Sequence, residues 1–396
     1  MNANNKKVMI VGGGIAGMTA ARELAKSGVS VTLVEKAGFL GGHAIRYACK
    51  ATDECLKCGA CPVEAVMKTV VNDPLISVSL NTEIESVSMN GKYSISLKKC
   101  DNPIAEAAGD NACDSYEKCA SAVALGKGYS KNNDKFFDAP GKVNAAYEGK
   151  AETVEVDAVI LATGFTAFNP ALKPTYNYGK FPNVISGLDL ERGKRIHGTA
   201  IKPSDGTVPQ SIAFIQCVGS RDERLGNLWC SKVCCPYALR TALSMKHSNP
   251  DLAITFFYMD IQNTGRDFKG FFDKCKENFR FVRAIPVDTY ETKDGKIKTR
   301  YTNEEDGQPV EENFDMIVLS HGIMPGADNV SLSEKFGISR DQDGFFQGAG
   351  VLNSTLTEKQ GLFLAGTIEG PKNIASSMAH AGQAAMETIK YLGGAR

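Results

Sequence analysis

Residues 7–42 read KVMIVGGGIAGMTAARELAKSGVSVTLVEKAGFLGG, and this stretch decides the fold. Lys7 to Val11 has the character of a buried strand. Gly14 to Ser27 reads as a helix. Ser30 to Glu35, with apolar Val31, Leu33 and Val34, reads as a second strand. A strand, a helix and a strand in that order predict a βαβ unit, and the right-handed crossover favours a parallel sheet. Gly12-Gly13-Gly14-Ile15-Ala16-Gly17 fits G-x-G-x-x-G between the first strand and the helix, and Glu35 ends the second strand. Gly12 allows the tight turn, Gly14 lets a pyrophosphate approach the main chain, and Gly17 lets the helix pack closely on the sheet. The helix N-terminus, with Ile15 and Ala16 in its first turn, offers N–H groups and a positive dipole end to phosphates. Glu35 can accept hydrogen bonds from ribose hydroxyls. A glycine-rich turn without a ligand is the bland alternative, and the joint presence of strand, helix and acid weighs against it.

Around this unit the chain runs to 396 residues, enough for two or three domain-sized units. It carries 45 basic and 45 acidic side chains. With no cationic excess to displace counterions, nucleic acid is not an expected partner. No apolar run approaches the ~18–20 residues needed to span a bilayer. The opening MNANNKKVMIVGGG places a strand and a glycine turn where a signal peptide would have its apolar and cleavage regions, so none is expected. Twelve cysteines without a secretory signal point to metal or redox chemistry more than to a disulfide framework.

Further along, Ile76–Leu80, Ile84–Met89 and Tyr93–Leu97 alternate as strands, with a hairpin turn at Asn90-Gly91. Residues 100–150 have poor periodicity and read as an insertion. Val154–Thr163 returns to strand character and closes at Gly164. A second unit begins near Gln210, with strands at Ser211–Gln216 and Ala253–Tyr258 around a helix at Val233–His247. DAVILATGF and DMIVLSHGI form the one internal echo, two apolar strands each followed by glycine. A last short strand, Leu362–Ala365, precedes Gly370-Pro371 and a helix over Ile374–Leu392.

Beyond Glu35 come Lys36 and then Gly41-Gly42-His43, where paired glycines let the backbone pass under a bulky cofactor. Leu364-Ala365-Gly366-Thr367 and Lys372-Asn373-Ile374 supply a second piece at the end of the chain. This pairing resembles the FAD half of the two-dinucleotide-binding-domain flavoproteins, the thioredoxin reductase-like proteins. The resemblance implies an α/β fold in which a Rossmann-type FAD domain is split by an inserted second nucleotide-type domain. It makes Lys36, Gly41, Gly42, His43, Ile84, Thr163, Gly164, Gly366, Thr367, Lys372, Asn373 and Ile374 candidate FAD contacts beside the fingerprint residues. Relatives place an acid where Thr367 stands, so the ribityl contact there is weaker or made by backbone. His43 can contact the flavin or cofactor phosphate, or bond to backbone. Lys372 can stabilise negative charge on the reduced flavin or be an exposed lysine. The corresponding turn of the second unit, Gln216-Cys217-Val218-Gly219-Ser220-Arg221, retains one glycine, so no NAD(P)H site is expected there.

Cys217, Cys230, Cys234 and Cys235 are spaced C-x12-C-x3-C-C. Four thiolates suit an iron–sulfur cluster, and a cysteine pair opening a helix gains from its dipole. Tetrahedral zinc and buried free cysteine are the alternatives. Trp229 can shield such a site or fill the core. A second run, Cys49, Cys55, Cys58 and Cys61 followed by Pro62, partly matches a ferredoxin signature. Cluster, redox-active disulfide and structural thiols remain equal readings of it.

The segment QCVGSRDERLGNLWCSKVCCPYAL closely resembles the heterodisulfide reductase A family, as do VEKAGFLGGHAIRYACKATDECLKCGAC and GLFLAGTIEGPKNIASSMAHAGQAA. The resemblance covers nearly the whole chain outside residues 100–150, and it implies a [4Fe–4S] cluster on Cys217, Cys230, Cys234 and Cys235. Longer members carry ferredoxin-like domains that are not recognised here. The short form is similar to the A-type flavoproteins of the quinone-interacting membrane-bound oxidoreductase complex of sulfate reducers. That similarity implies electron transfer between the menaquinone pool and adenylylsulfate reductase. It also implies partners: an iron–sulfur flavoprotein paralogue and a membrane haem subunit. The protein would then be cytoplasmic and peripheral to the inner membrane. A free-standing disulfide reductase using Cys55 and Cys58, or a scaffold retaining FAD, are the other readings. The expected organisation is 1–99 as first FAD part, 100–150 as insertion, 151–209 as second FAD part and linker, 210–330 as second nucleotide-type domain, and 331–396 as C-terminal FAD part.

Overall fold

The computed structural model describes residues 6–99, 142–144, 152–263 and 265–394. The expected insertion over 100–150, with Cys100, Cys113 and Cys119, lies almost wholly outside the described residues. The chain divides into two compact units. The first comprises residues up to Ile45, Gly59–Thr166 and Pro325 onward; the second comprises Arg46–Cys58 and Ala167–Met324.

In the first unit, β1 (Lys7–Val11), β2 (Ser30–Val34), β3 (Ile76–Ser79), β6 (Lys142–Asn144) and β8 (Ala158–Leu161) join β17 (Leu362–Leu364) in a parallel sheet of order β17-β8-β1-β2-β3-β6. A three-stranded antiparallel sheet of β4 (Thr82–Asn90), β5 (Lys92–Lys99) and β7 (Glu152–Val156) accompanies it. Helix α1 (Ile15–Lys26) packs against α7 (Ile374–Leu392). Met9, Val11, Ile95, Val159, Leu161 and Leu364 are among the buried side chains that fill the core between the sheets. A short helix, α6 (Asn329–Phe336), adds Leu332 and Phe336 to that core.

The structure corrects two expectations in this unit. Val154–Thr163 is not one strand. It breaks at Asp157, whose carboxylate accepts the Lys7 N–H at 2.9 Å and whose own N–H donates to the Lys7 carbonyl at 2.8 Å. The corner sends β7 and β8 into different sheets. Residues 38–67, polar and cysteine-bearing in sequence, give no sign of a helix, yet Pro62–Asn72 forms helix α2. Proline stands in its first turn, and Val63, Val66, Met67, Val70 and Val71 make one buried face at helical spacing.

In the second unit, β9 (Val184–Ser186), β10 (Ser211–Val218), β11 (Ala253–Phe257), β12 (Arg280–Val282) and β16 (Met316–His321) form a parallel sheet of order β9-β16-β10-β11-β12. The strands β13 (Asp288–Glu291), β14 (Ile297–Thr302) and β15 (Pro309–Phe314) make an antiparallel sheet. Helices α3 (Gly187–His197), α4 (Cys234–Ser248) and α5 (Phe268–Asn278) complete the unit. The second unit thus starts well before Gln210. β9 adds to the edge of the sheet beside β16, and Ser186 caps α3 in a reciprocal box with Asp189, so residues 167–209 belong with the second unit rather than the FAD domain. Residues 46–58 join it too. Buried Glu191 on α3 accepts the Ala48 N–H at 2.9 Å and pairs with the Lys50 ammonium at 2.5 Å.

Candidate functional site

The first unit's nucleotide site is built from the loop between β1 and α1. Gly12 has φ +109, a conformation glycine adopts without strain. A Cβ on Gly17 would lie 1.8 Å from the Gly12 carbonyl oxygen, so only glycine lets the helix come this close. At Gly14, the N-cap of α1, a Cβ would meet nothing within 4 Å, and no side chain caps the helix. Ile15 and Ala16 open that helix. The helix end therefore presents main-chain N–H groups to open space, the arrangement that receives phosphates. The Glu35 carboxylate faces this loop. It accepts the Gly13 N–H at 2.6 Å and the Ala37 N–H at 2.7 Å. The Gly41 N–H donates to the Gly13 carbonyl at 2.8 Å, and a Cβ on Gly42 would lie 3.1 Å from Gly14, so the paired glycines run directly along the fingerprint.

The C-terminal piece closes on the same loop. A Cβ on Gly366 would lie 2.6 Å from that of Ala16. The Gly366 N–H donates to His380 Nδ1 at 3.0 Å, and His380 Nε2 stands 3.0 Å from Ser354 Oγ. Burial, with the nearby Lys372 charge, brings His380 down to about 4, so its ring is neutral at physiological pH with the proton on Nε2. Thr163 Oγ1 is buried without a partner, and Thr367 is buried across from Gly164. An orphaned hydroxyl, a cradle of glycines and an uncapped helix end fit an FAD site.

Other candidates take different places. Lys36 pairs with Asp328 at 3.0 Å and Glu83 at 3.5 Å. Ile84 is buried in the core, and its carbonyl accepts the Lys335 ammonium at 2.7 Å. The His43 ring stacks on Phe165, and its Nε2 donates to the Phe165 carbonyl at 3.1 Å, which favours the backbone-bonded reading. Lys372 forms an ion pair with Glu369, so its charge is already engaged. The Asn373 side chain caps α7 by accepting the Ser376 N–H at 2.8 Å, and Ile374 begins that helix.

In the second unit the corresponding place holds cysteines. Cys217 lies in a bulge of β10 between Ile215 and Val218, with φ +58, a backbone twist that re-aims its side chain. Cys234 and Cys235 open α4, which no side chain caps. The proximity of the Cys234 thiol lowers Cys217 and Cys235, and theirs raises Cys234. Desolvation raises Cys230, while its sulfur accepts the Lys232 N–H at 3.3 Å. The nearby Cys235 and Cys217 add to that rise. Among the described residues, no three or more His, Cys, Asp or Glu side chains surround a point that a single metal ion could occupy. The donor chemistry, four thiols with three of them buried and two of those at an uncapped helix end, fits a thiolate-held cluster. Gln216, Ser220 and Ser320 add buried polar side chains without partners at the same ends of β10 and β16. The Trp229 indole donates to the Ile323 carbonyl at 2.9 Å, beside Cys230.

Sequence reasoning missed three groups here. Arg221 grips Asp260 through two bonds of 2.5 and 3.0 Å, and the Gln262 side chain donates to Asp260 at 3.1 Å. His380 was missed in the first unit. The only signals were a cation after the altered turn and an acid past the second strand. Cys49 and Cys55 are exposed and Cys58 half-buried on the second unit, whereas Cys61 belongs to the first.

Comparison with known proteins gives this geometry a family. The chain is 31% identical, over 96% of its length, to the A-subunit of the H(2):CoB-CoM heterodisulfide,ferredoxin reductase of Methanothermobacter marburgensis. It is 32% identical, over 96% of its length, to the iron-sulfur A-subunit of the CoB–CoM heterodisulfide reductase of Methanocaldococcus jannaschii. It spans 63% of the length of each, less than two thirds. These relatives support the heterodisulfide reductase A resemblance without singling out the quinone-interacting form. Thioredoxin reductase of T. acidophilum superposes with a TM-score of 0.57 at 15% identity, covering 99% of this chain and 100% of that one, which is a likeness of fold. Residues 6–214 match the family model described as pyridine nucleotide-disulphide oxidoreductase. Since that match takes in the fingerprint loop, Glu35 and more than half of the sequence, the chain is an oxidoreductase of the pyridine nucleotide-disulphide oxidoreductase family.

Proposed function

We propose that this chain is an FAD-dependent electron-transfer subunit of a multi-subunit redox complex. FAD is held by the first unit, and a [4Fe–4S] cluster by Cys217, Cys230, Cys234 and Cys235 of the second. The observation that carries the reading is the contrast between two equivalent turns, one kept open by glycines and one filled by thiols. FAD supplies exchange between two-electron and one-electron carriers, and a cluster supplies one-electron transfer. The chain's own residues do the rest. Gly14 and the α1 N-terminus receive the pyrophosphate. Glu35 accepts from the ribose, and neutral His380 fixes the Gly366 turn. The acid past the second strand of the second unit is engaged by Arg221, and this, with the missing glycines, supports an electron source other than NAD(P)H.

At its finest, the proposal links the menaquinone pool to adenylylsulfate reductase in sulfate reduction. The partners in it are an iron–sulfur flavoprotein paralogue and a membrane haem subunit. The chain's place in it is cytoplasmic and peripheral to the inner membrane. The resemblance to the quinone-interacting family supports this part. Among the described residues no helix is long and apolar enough to cross a membrane, so quinone contact falls to partners.

Anaerobic purification with flavin, iron and sulfide quantified per chain tests the reading, together with rapid mixing against NADPH. Equimolar flavin, a full complement of iron and no bleaching by NADPH are expected. Absence of iron would remove the cluster. Rapid bleaching would instead favour a free-standing disulfide reductase using Cys55 and Cys58.

A further inference from the structure

The turn that carries Cys217 continues into Arg221, a residue with φ +53, whose N–H donates to the Trp229 carbonyl at 3.1 Å. This conformation is uncommon for a side chain of this size and marks a position the surroundings over-determine. Arg221 lies four residues past Cys217 on the same turn, and its main-chain bond to Trp229 sets it beside the residue that precedes Cys230; after the Cys234 contact, its positive charge helps hold the Cys217 thiol down. The guanidinium plane is fixed by the two bonds to Asp260, and Asp260 is in turn bonded by the Gln262 side chain at 3.1 Å. Asp260 and Gln262 lie just past β11, the strand beside the one that carries Cys217. One short segment thus supplies a carboxylate to the arginine and the amide side chain that braces that carboxylate.

A group held by four thiolates is negative, and reduction adds one more negative charge. Its potential therefore follows the fixed charges and hydrogen bonds at its sulfurs. We propose that Arg221 sets the reduction potential of the four-cysteine site: its fixed positive charge favours the reduced form, and Asp260 both orients that charge and limits it. This rests on the cluster reading above. The step concerned is uptake of one electron, supplied in the test by dithionite, with no bond made or broken. A bare structural tether would give a different pattern. Loosening it from either end would have one effect, whereas a charge pair gives opposite effects from its two ends.

The test is a spectroscopically monitored redox titration of the anaerobically purified full chain, with iron and sulfide assayed for every variant. Arg221→Gln is expected to disfavour reduction about tenfold, a fall of about 59 mV for one electron. Arg221→Lys should restore most of it, and Asp260→Asn should move the potential upward. Shifts of the same sign in Arg221→Gln and Asp260→Asn, or no shift in either at unchanged iron content, would overturn the proposal. If Arg221→Gln fails to fold or loses iron, Asp260→Asn decides, since a raised potential supports the proposal and an unchanged one overturns it. Wild-type protein without iron would overturn the cluster reading and this proposal with it. A cluster of normal content with unmoved potential would overturn this proposal alone.

Discussion

The two units start from the same plan and diverge at one turn. In each, a central parallel strand leads into a helix, and a neighbouring parallel strand follows. In the first unit, Gly12–Gly14 connects β1 to α1, and Glu35 faces the loop's main chain. In the second, the whole of Gly219–Val233 stands between β10 and α4, and Asp260 is bound by Arg221. Glycine leaves an uncapped helix end open to a phosphate. Cysteine fills the equivalent place with thiols, and the longer connection brings in Cys230. The position at the carboxyl ends of the strands is constant, and the side chains there are what differ.

The largest expected effect tests whether the glycine contact is indispensable. Gly17→Val brings side-chain atoms onto the Gly12 carbonyl, which as backbone cannot yield cheaply. The expected outcome is a loss of about 3 kcal/mol or more. Flavin absorbance per chain should fall to background and the thermal melt should drop. Retained flavin would show that the helix can stand off.

The second unit has a parallel test. Gly219 has φ +83, and a Cβ there would lie 2.1 Å from the Phe168 ring. Gly219→Ala should destabilise by about 2 kcal/mol. Iron content should suffer before flavin content, and equal loss of both would blur the distinction drawn between the units.

Glu35→Ala is expected to be milder. It strips an acceptor from the Gly13 and Ala37 N–H groups and, under the proposed function, from the ribose. Flavin retention in a dilution assay should weaken about tenfold, or about 1.4 kcal/mol. A separate effect concerns pH. His380 is lowered in the folded state from 6.5 to about 4, so the unfolded chain binds the proton more readily. Its contribution to stability is complete above about 6.5 and is lost as pH falls toward 4. Denaturant melts across that window should show the slope, and His380→Gln should flatten it.

How much of this was legible depends on range. The βαβ unit, the fingerprint and the helix over Ile374–Leu392 rest on local spacing, and the structure has them. The break at Asp157 was hidden because the alternating VEVD runs straight into the apolar AVIL with no glycine or proline between them. Only its bonds to Lys7, 150 residues away, make the corner. The assignment of residues 167–209 was hidden for the same reason, since β9 is defined by pairing with β16. Within the sites, cysteines and glycines announce themselves by type and spacing. The Arg221–Asp260 pair and the His380–Gly366 bond do not, because common residue types acquire these roles only through tertiary contact.

The most direct test of the account is the cofactor content of a Cys234→Ser, Cys235→Ser double variant purified without oxygen. The account predicts that iron falls to background while flavin stays equimolar with the chain. Iron at the wild-type level, or flavin lost together with iron in a folded protein, would contradict the assignment of one cofactor to each unit.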